Sequence, residues 1–149
     1  MTEECLVHYA KAIKAKMPIS VFGPAGTGKT ETAKDFAQLL GRKFVVLNVR
    51  PDSEGITSLL KGVDPTAWVC FDEFGAFNSN QALMGEFYAE AKTMMKSDKE
   101  FGLFVTFNPA DCKETQTHPE YESCFKHQIE MRVPNRELIA QVRFAAQGF

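Results

Sequence analysis

The residues best able to do chemistry stand in one short run, from Gly23 to Thr30. The run reads Gly-Pro-Ala-Gly-Thr-Gly-Lys-Thr, and its first glycine lies four residues ahead of Gly28-Lys29-Thr30, which is the spacing of a P-loop. Glycines at these positions let consecutive backbone N–H groups turn towards the phosphates of a nucleotide. Lys29 can reach the β- and γ-phosphates, and the Thr30 hydroxyl can ligate Mg²⁺. The run therefore predicts a site for a nucleoside triphosphate and Mg²⁺.

The residues on either side of this run fit the strand and helix that such a loop requires. An apolar segment from 19 to 22 predicts a buried strand that leads into the loop. A helix is predicted to begin at Lys29 and to stop at Gly41, and its N-terminus would add a partial positive charge. Its predicted apolar stripe consists of Thr30, Ala33, Phe36, Ala37 and Leu40. A chance glycine turn would not need these flanks. The predicted nucleotide-binding residues are Gly23, Pro24, Ala25, Gly26, Thr27, Gly28, Lys29, Thr30 and Glu31.

A second set of candidate residues follows an apolar strand over 67–73, which ends in Asp72 and Glu73. Open parallel sheets bind ligands at the carboxyl ends of their strands, where this acidic pair would lie. Asp72 would hold Mg²⁺ through water, and Glu73 would orient and polarise the attacking water. A solvated strand end is the alternative interpretation, but a P-loop requires such an acidic partner.

Asn108 follows a third apolar segment, over 102–107, and precedes a proline. Asn-Pro is a common turn signal, and a turn is the default interpretation. If this strand lies beside the strand that carries Asp72, the Asn108 amide would point at the γ-phosphate and the attacking water. We therefore expect Asn108 to be a third catalytic residue, with Glu73 and Lys29.

The other elements predicted from the sequence alternate between helices and strands. Periodicity and capping signals indicate a first helix over 2–15, capped by Thr2, with Leu6, Tyr9, Ala10 and Ile13 on one face. A buried strand over 44–47 follows, then a short helix within 51–61 capped by Asp52 or Ser53, and later a long helix capped by Asn80. The last part of the chain is predicted to contain an exposed loop over 110–124 with a short helix near 120–125, an edge-like strand over 128–133, and a helix after Pro134. Each parallel return needs a crossover, so the pattern predicts an α/β fold with helices covering a parallel sheet.

Composition limits the class of protein. The 149 residues include 44% apolar residues and 13 phenylalanines, which suffices for one domain with its own core. A net charge of −2 with interspersed signs predicts no nucleic-acid partner and no anionic membrane partner. Four cysteines without a Cys-x-x-Cys pair predict reduced thiols. The sequence shows neither a signal peptide nor a membrane-spanning apolar run, so we expect an intracellular location.

These motifs indicate a P-loop ATPase, because the second acid suits water activation better than phosphoryl transfer to a small molecule. A small-molecule kinase is the other enzyme class. Residues 23–35, 67–74 and 104–109, with the later segment 133–149, closely resemble the first AAA+ module of dynein heavy chains. The resemblance implies the AAA+ large subdomain, a P-loop NTPase fold with a parallel five-stranded sheet, spanning residues 1–149 as one unit. Residues 1–17 would be a leading helix and 18–149 the ATPase core.

By this resemblance Lys29 and Thr30 correspond to the family's Walker A ligands, Asp72 and Glu73 to its Walker B pair, and Asn108 to its sensor I residue. ATP and Mg²⁺ are the implied cofactors. The implied partners are neighbouring AAA+ modules, with microtubules contacted only indirectly. The implied location is the cytoplasm and cytoskeleton, in a cytoplasmic or ciliary complex.

The sequence departs from the dynein pattern at several points. Gly75-Ala76 stands where dyneins have Asn-Arg, the hairpin insert before the sensor I strand is missing, and Lys126 stands where the family has a finger arginine. The helical lid and the other motor modules do not fit within the 149 residues. A lysine lacks the planar fork of arginine. Two functions stay open: an ATP-hydrolysing motor module, or a nucleotide-binding or interaction module with little hydrolysis, in which Lys126 is a degenerate trans finger.

Overall fold

The computed structural model describes residues 3–97 and 100–132. Thr2, the predicted cap of the first helix, and the predicted helix after Pro134 lie outside the described residues. The elements in chain order are α1 (Glu3–Lys14), β1 (Ile19–Phe22), α2 (Lys29–Leu39), β2 (Phe44–Asn48), α3 (Ile56–Lys61), β3 (Trp68–Asp72), α4 (Gln81–Lys96), β4 (Leu103–Phe107), α5 (Lys113–Thr117), α6 (Tyr121–Cys124) and β5 (His127–Glu130).

The five strands form one parallel sheet in the order β2-β3-β4-β1-β5. The predicted α/β fold with a parallel five-stranded sheet is confirmed. β1, which leads into the glycine-rich loop, lies beside β4, and β4 lies beside β3. The three strands that precede the candidate site residues are therefore adjacent, and their carboxyl ends meet at one edge.

Two backbone hydrogen bonds fix the turns at this edge. The N–H of Gly23 donates to the carbonyl oxygen of Phe107 at 3.1 Å, which ties the start of the glycine-rich loop to the end of β4. The N–H of Phe74 donates to the carbonyl oxygen of Thr106 at 2.8 Å, which ties the turn after β3 to the same strand. β4 thus holds both loops of the candidate site.

The core lies on both faces of the sheet, and alternate residues of β3 serve the two faces. Trp68 and Cys70 pack with α1 and α2, whereas Val69 and Phe71 pack with α3, α4 and α6. Phe71 meets Phe87 of α4 edge to face, with ring centroids 5.0 Å apart. A strand that is apolar at every position is the expected sequence of a sheet covered on both faces.

Three of the predicted buried surfaces are wrong in part. α1 buries Cys5, Tyr9 and Ala12, whereas the predicted Leu6 and Ala10 are exposed. Leu40 follows the end of α2 and is 50% exposed, because the chain turns away there towards Gly41. β2 is only partly buried, since it is the last strand of the sheet on its side and has a partner only in β3.

The segment before β3 differs from its prediction. α3 begins at Ile56 after Gly55, and neither Asp52 nor Ser53 caps it. Instead the Thr57 N–H donates to Glu86 Oε1 of α4 at 2.6 Å. This contact lowers the pKa of Glu86 below its ordinary value. A cap from another helix leaves no local sequence signal.

The segment from 110 to 124 is more ordered and more buried than a polar loop. It contains α5 and α6, and Thr115, Tyr121 and Cys124 are buried. The Tyr121 hydroxyl lies 2.6 Å from Ser20 Oγ beneath the sheet. The predicted helix at Asn80, the stop at Gly41 and the edge position of β5 are confirmed. Within the described residues, no helix has the length and apolarity to cross a bilayer.

Candidate functional site

The glycine-rich loop joins β1 directly to the N-terminus of α2. Gly26 and Gly28 have φ angles of 78° and 76°, a left-handed backbone that side chains rarely adopt. The Lys29 ammonium donates to the carbonyl oxygens of Gly23 and Pro24, each at 2.9 Å. The Thr27 hydroxyl also donates to the Pro24 carbonyl, at 2.8 Å. The loop therefore has an ordered form that its own side chains hold.

Asp72, at the end of β3, is the centre of a hydrogen-bond cluster. Its Oδ1 accepts from the Thr106 hydroxyl at 2.6 Å, from the Glu73 N–H at 3.1 Å and from the Thr30 hydroxyl at 3.2 Å. The hydroxyls of Thr30 and Thr106 are 3.4 Å apart. We call these four groups the Asp72 cluster. They join the glycine-rich loop, β3 and β4 at a single carboxylate oxygen.

A thiol lies next to this cluster within the sheet. Cys70 is fully buried two residues before Asp72, and burial, together with a smaller contribution from the charge of Asp72, raises the pKa of its thiol to about 12. The thiol is therefore neutral at physiological pH. The side chain that lies next to the Asp72 cluster within the sheet is therefore uncharged.

Glu73 has a very different environment from its neighbour. It is exposed and has a φ of 52°, an unusual value for a residue with a side chain. Among the described residues its carboxylate makes no hydrogen bond and no ion pair. The turn continues through Gly75, whose φ is 103° and at which a Cβ would collide with Thr115 Oγ1 of α5.

Two cavities adjoin these residues. One, of about 450 Å³, contains Lys29, Asp72, Glu73 and Asn108 in its wall. The other, of about 360 Å³, is lined by Gly26, Gly28, Lys29, Thr30, Glu31 and Asp72. Lys29 and Asp72 line both cavities, so these two side chains form a wall that the cavities share. All of the predicted catalytic and metal-binding residues therefore lie around one region of the surface.

Asn108 both makes a turn and lines a cavity of the candidate site, the two roles that its sequence position allowed. Its Oδ1 accepts from the Ala110 N–H at 3.0 Å, which makes the turn that an Asn-Pro pair predicts. Its side chain also lines the cavity that contains Glu73. The amide N–H₂ has no hydrogen-bond partner among the described residues, which leaves a donor at the cavity.

Lys126 lies apart from this region. It is exposed immediately before β5 and lines neither of the two cavities. Sequence reasoning missed Thr106, Asp111 and Cys112, which line the larger cavity. Thr106 had a usable signal, because side chains two residues apart on a strand share a face and Thr106 precedes Asn108 by two.

The donor set at the shared wall fits a magnesium ion. A threonine hydroxyl and a carboxylate, 3.2 Å apart, are hard oxygen ligands, and Mg²⁺ is commonly held by one or two carboxylates together with waters and substrate phosphates. In residues 3–97 and 100–132, no three His, Cys, Asp or Glu side chains form a group that could hold a metal ion. The residues therefore fit an ion that the phosphates of a nucleotide help to hold.

A third cavity, of about 590 Å³, lies between α1 and the end of β5. Its walls include Glu4, Cys5 and His8 on α1 and residues 128–132 on the other side. The Met131 N–H donates to the Phe22 carbonyl oxygen at 2.7 Å, and a Cβ at Gly23 would collide with the Met131 carbonyl oxygen. This cavity therefore adjoins the start of the glycine-rich loop.

Comparison with known sequences identifies relatives over the whole chain. Residues 1–84, more than half of the chain, match the family described as the hydrolytic ATP binding site of the dynein motor region. Dynein axonemal heavy chain 8 of Homo sapiens is 31% identical over 100% of this chain, and dynein axonemal heavy chain 5 of Rattus norvegicus is 33% identical over the same share. The cytoplasmic dynein heavy chain of Paramecium tetraurelia is 33% identical. The chain covers only 4 to 5% of the length of these relatives.

Comparison with solved structures supports the fold. The RuvB Holliday junction branch migration motor of Thermotoga maritima superposes with a TM-score of 0.60 at 17% identity, over 89% of this chain and 45% of that one. A point variant of the same protein gives a TM-score of 0.64 at 18% identity, over 88% of this chain and 46% of the variant. At this identity the likeness concerns the fold alone, and it confirms the predicted P-loop NTPase fold of the AAA+ large-subdomain type. The sequence matches carry the family assignment: the chain belongs to the dynein heavy chain family of ATP-binding motor ATPases and matches that family's hydrolytic ATP-binding region.

Proposed function

We propose that residues 1–149 form one nucleotide-binding subdomain that binds ATP with Mg²⁺ and hydrolyses it as a module of a dynein-type motor. One observation carries the proposal. Lys29, Thr30, Asp72, Glu73 and Asn108, which come from three separate loops, line two cavities with shared walls at the carboxyl ends of adjacent parallel strands. This is the edge at which open α/β sheets bind their ligands.

The glycine-rich loop and Lys29 would bind the phosphates. The loop N–H groups and the N-terminus of α2 supply partial positive charge, and Lys29 supplies a full charge. Thr30 and Asp72 would hold the magnesium ion, which supplies charge neutralisation to the phosphate oxygens when it is bound. The Asp72 cluster already places both ligands on one side of the loop. The third cavity, whose wall residue Met131 lies against Gly23, is the place we propose for the adenine base.

Glu73 and Asn108 would act on the attacking water. The Glu73 carboxylate has no partner among the described residues and lines the larger cavity, so it is available to accept a proton from water there. The amide of Asn108, held by its turn to Ala110, would donate to the γ-phosphate or to that water. Each of the two residues lies one position beyond the end of its strand, β3 for Glu73 and β4 for Asn108.

The remaining parts of the proposal concern the assembly. The curated relatives are long heavy chains of which this chain covers 4 to 5%, so we propose that neighbouring AAA+ modules are its partners and that microtubules are contacted only through them. A cytoplasmic or ciliary dynein complex on the cytoskeleton is the corresponding location. The relatives include both axonemal and cytoplasmic dyneins.

A nucleotide-binding module with little hydrolysis is the second candidate. The observation that favours it is the lysine at position 126, where the family pattern has an arginine. A finger that acts in trans on a neighbouring module would lie outside this chain's own cavities, as Lys126 does. A lysine in the finger position would lack the bidentate geometry of arginine. In such a module the Asp72 cluster would serve binding alone.

Calorimetry with Mg²⁺ and a non-hydrolysable ATP analogue tests the binding proposal. We expect the 149-residue chain to bind the analogue, and we expect Lys29→Ala to weaken binding about 30-fold or more, the scale of a lost charge-assisted contact. Lys34→Ala, on the exposed side of α2, is the matched control and should leave binding within about twofold. Equal affinities for the Lys29 and Lys34 variants would contradict the proposed site.

Phosphate release separates hydrolysis from binding alone. If Glu73 is the base, Glu73→Gln should lower turnover about 10²-fold or more while leaving analogue affinity within about threefold. Turnover should be measured for the chain alone and in the presence of a neighbouring module. Turnover that is absent in both settings, with binding intact, would favour the second candidate. Turnover that Glu73→Gln does not change would remove Glu73 from the mechanism.

A further inference from the structure

Thr106 is a buried polar residue that no motif accounts for. It lies in β4, the central strand of the sheet, and is 0% exposed. A threonine in a strand usually serves packing through its branched Cβ. Here, however, the hydroxyl makes the shortest hydrogen bond of the Asp72 cluster, at 2.6 Å to Asp72 Oδ1. The residue therefore contacts the proposed metal ligand directly.

The backbone of Thr106 makes a second contact with the same segment. Its carbonyl oxygen accepts from the Phe74 N–H at 2.8 Å. The side chain thus holds the residue before Glu73, and the main chain holds the residue after it. No other described residue contacts both neighbours of Glu73 with hydrogen bonds in this way.

The three donors to Asp72 Oδ1 differ in how firmly they are themselves held. Thr30 belongs to the glycine-rich loop, in which Lys29 would exchange its carbonyl acceptors for phosphate oxygens when a nucleotide binds. The Glu73 N–H belongs to an exposed turn with a left-handed backbone. Thr106 belongs to a strand paired on both sides, with β3 and with β1. It is therefore the donor that stays in place when the loop changes.

We propose that Thr106 is a positioning residue for the metal site: its hydroxyl fixes Asp72 Oδ1 and thereby presents the second carboxylate oxygen, Oδ2, to Mg²⁺. This inference rests on the proposed function and deepens it. Oδ2 makes no hydrogen bond among the described residues, and Asp72 lines both cavities. A carboxylate whose orientation is fixed in advance loses less conformational freedom when it binds an ion.

The measurable quantity is the gain in nucleotide affinity that Mg²⁺ provides. We define the magnesium gain as the dissociation constant of a non-hydrolysable ATP analogue in EDTA divided by that in Mg²⁺, both measured by calorimetry on the 149-residue chain. A residue that acts only on stability would change both constants alike. A residue that positions a metal ligand changes their ratio.

Thr106→Val removes the hydroxyl but keeps the shape, and we expect it to lower the magnesium gain about tenfold with little change in EDTA. Thr106→Ser keeps the hydroxyl and should retain the gain within about threefold. Thr106→Ala removes the same hydroxyl with less volume and is measured alongside, so that the result does not depend on the folding of one variant. Thr115→Val, at another fully buried threonine, is the matched control and should keep the wild-type gain.

The outcomes separate this inference from the function on which it rests. A wild-type chain that binds no analogue in either buffer would overturn both. Wild-type binding with a magnesium gain that Thr106→Val and Thr106→Ala leave intact would overturn only the role of Thr106. A loss of equal size in both buffers, or an equal loss of the gain in Thr106→Ser, would assign Thr106 a packing role instead.

Discussion

Asp72 and Glu73 are neighbours in sequence, and both line the larger cavity, yet their surroundings differ in almost every respect. Asp72 ends a strand, and one of its oxygens accepts three hydrogen bonds, two of them from threonine hydroxyls. Glu73 begins a turn, has a φ of 52°, and is exposed without a side-chain partner among the described residues. The first residue is fixed by the sheet, and the second is fixed only through its backbone.

This difference separates two steps of the proposed reaction. Binding of nucleotide and metal depends on groups that the fold already orders, because the Asp72 cluster and the glycine-rich loop are held by strands and by a helix. Activation of water depends on a side chain whose orientation no described contact sets. We therefore infer that the affinity for nucleotide and Mg²⁺ is set by this chain alone. The rate of ATP hydrolysis depends in addition on the groups that contact the segment after Glu73. We call residues 73–79 the glutamate turn.

The largest expected loss of stability comes from adding a side chain at Gly75. A Cβ there would collide with Thr115 Oγ1, and the φ of 103° disfavours any side chain. Gly75→Ala should therefore lower the free energy of unfolding by about 2 to 4 kcal/mol. Denaturant unfolding measures this loss, and turnover should fall more than analogue affinity because the glutamate turn moves.

Gly85→Ala is the matched control for that substitution. Gly85 is an exposed residue within α4, and a Cβ there would meet nothing within 4 Å. Alanine should stabilise the helix by about 0.5 to 1 kcal/mol. Equal effects at the two glycines would show that the contact between the glutamate turn and α5 is not required.

The second prediction compares the two acids directly. Asp72→Asn removes the charge of the proposed metal ligand and should lower the magnesium gain by about tenfold or more, which corresponds to about 1.4 kcal/mol. Glu73→Gln makes the same chemical change at the next residue and should leave the gain within about threefold. Calorimetry in Mg²⁺ and in EDTA measures both. A larger loss for Glu73→Gln would reverse the assignment of the two acids.

The third prediction concerns the far end of the glutamate turn. Asn80 caps α4 by accepting from the Leu83 N–H at 3.1 Å, and its amide donates to the Pro51 carbonyl at 2.9 Å. Asn80→Ala should cost about 1 kcal/mol of stability in denaturant unfolding. Gln81→Ala, at an exposed first helical residue, should stay within about 0.5 kcal/mol and shows what surface truncation alone does.

The smallest expected effect is a pH dependence at Glu86. The Thr57 N–H lowers the pKa of this carboxyl from its ordinary value of 4.5. A lowered pKa in the folded state adds stability above pH 4.5, and that stability is lost as the pH falls through the folded value. Since Glu86 is partly exposed, the loss should amount to a few tenths of a kcal/mol. Between pH 6 and pH 3.5, thermal unfolding should show a loss of stability that is larger by this amount in the wild type than in Glu86→Gln, because other carboxyls such as Asp64 titrate in both proteins.

The sequence predicted the features that depend on local chemistry. The loop glycines, the helix start at Lys29, the stop at Gly41 and the cap at Asn80 each follow from the conformation or hydrogen bond that one residue type permits. The approach of Asp72 to Thr30 followed from the rule that ligand sites gather at the carboxyl ends of parallel strands. These signals are local or depend on topology alone.

The features that were missed depend on packing between distant segments. The face of α1 includes Cys5 and Ala12 rather than Leu6 because the sheet and α2 select that side of the helix. The cap of α3 comes from Glu86, about 30 residues further along the chain. Thr106 was missed because a threonine in an apolar strand has the same pattern as a packing residue. The contacts of α1 and the cap of α3 have no signature in a short window of sequence, whereas the local signal for Thr106 was its two-residue spacing from Asn108.

The two carbonyl oxygens that accept from Lys29 have a consequence for the way a nucleotide arrives. Two of the three ammonium donors already have carbonyl acceptors, so phosphate oxygens would mainly replace weaker acceptors with charged ones. These two contacts also restrict the rotamers of the Lys29 side chain, so less conformational entropy is lost when it binds phosphate. Nucleotide binding therefore requires Lys29 to exchange two carbonyl acceptors for phosphate oxygens, and the rate of binding should depend on how quickly Gly23 and Pro24 release the lysine.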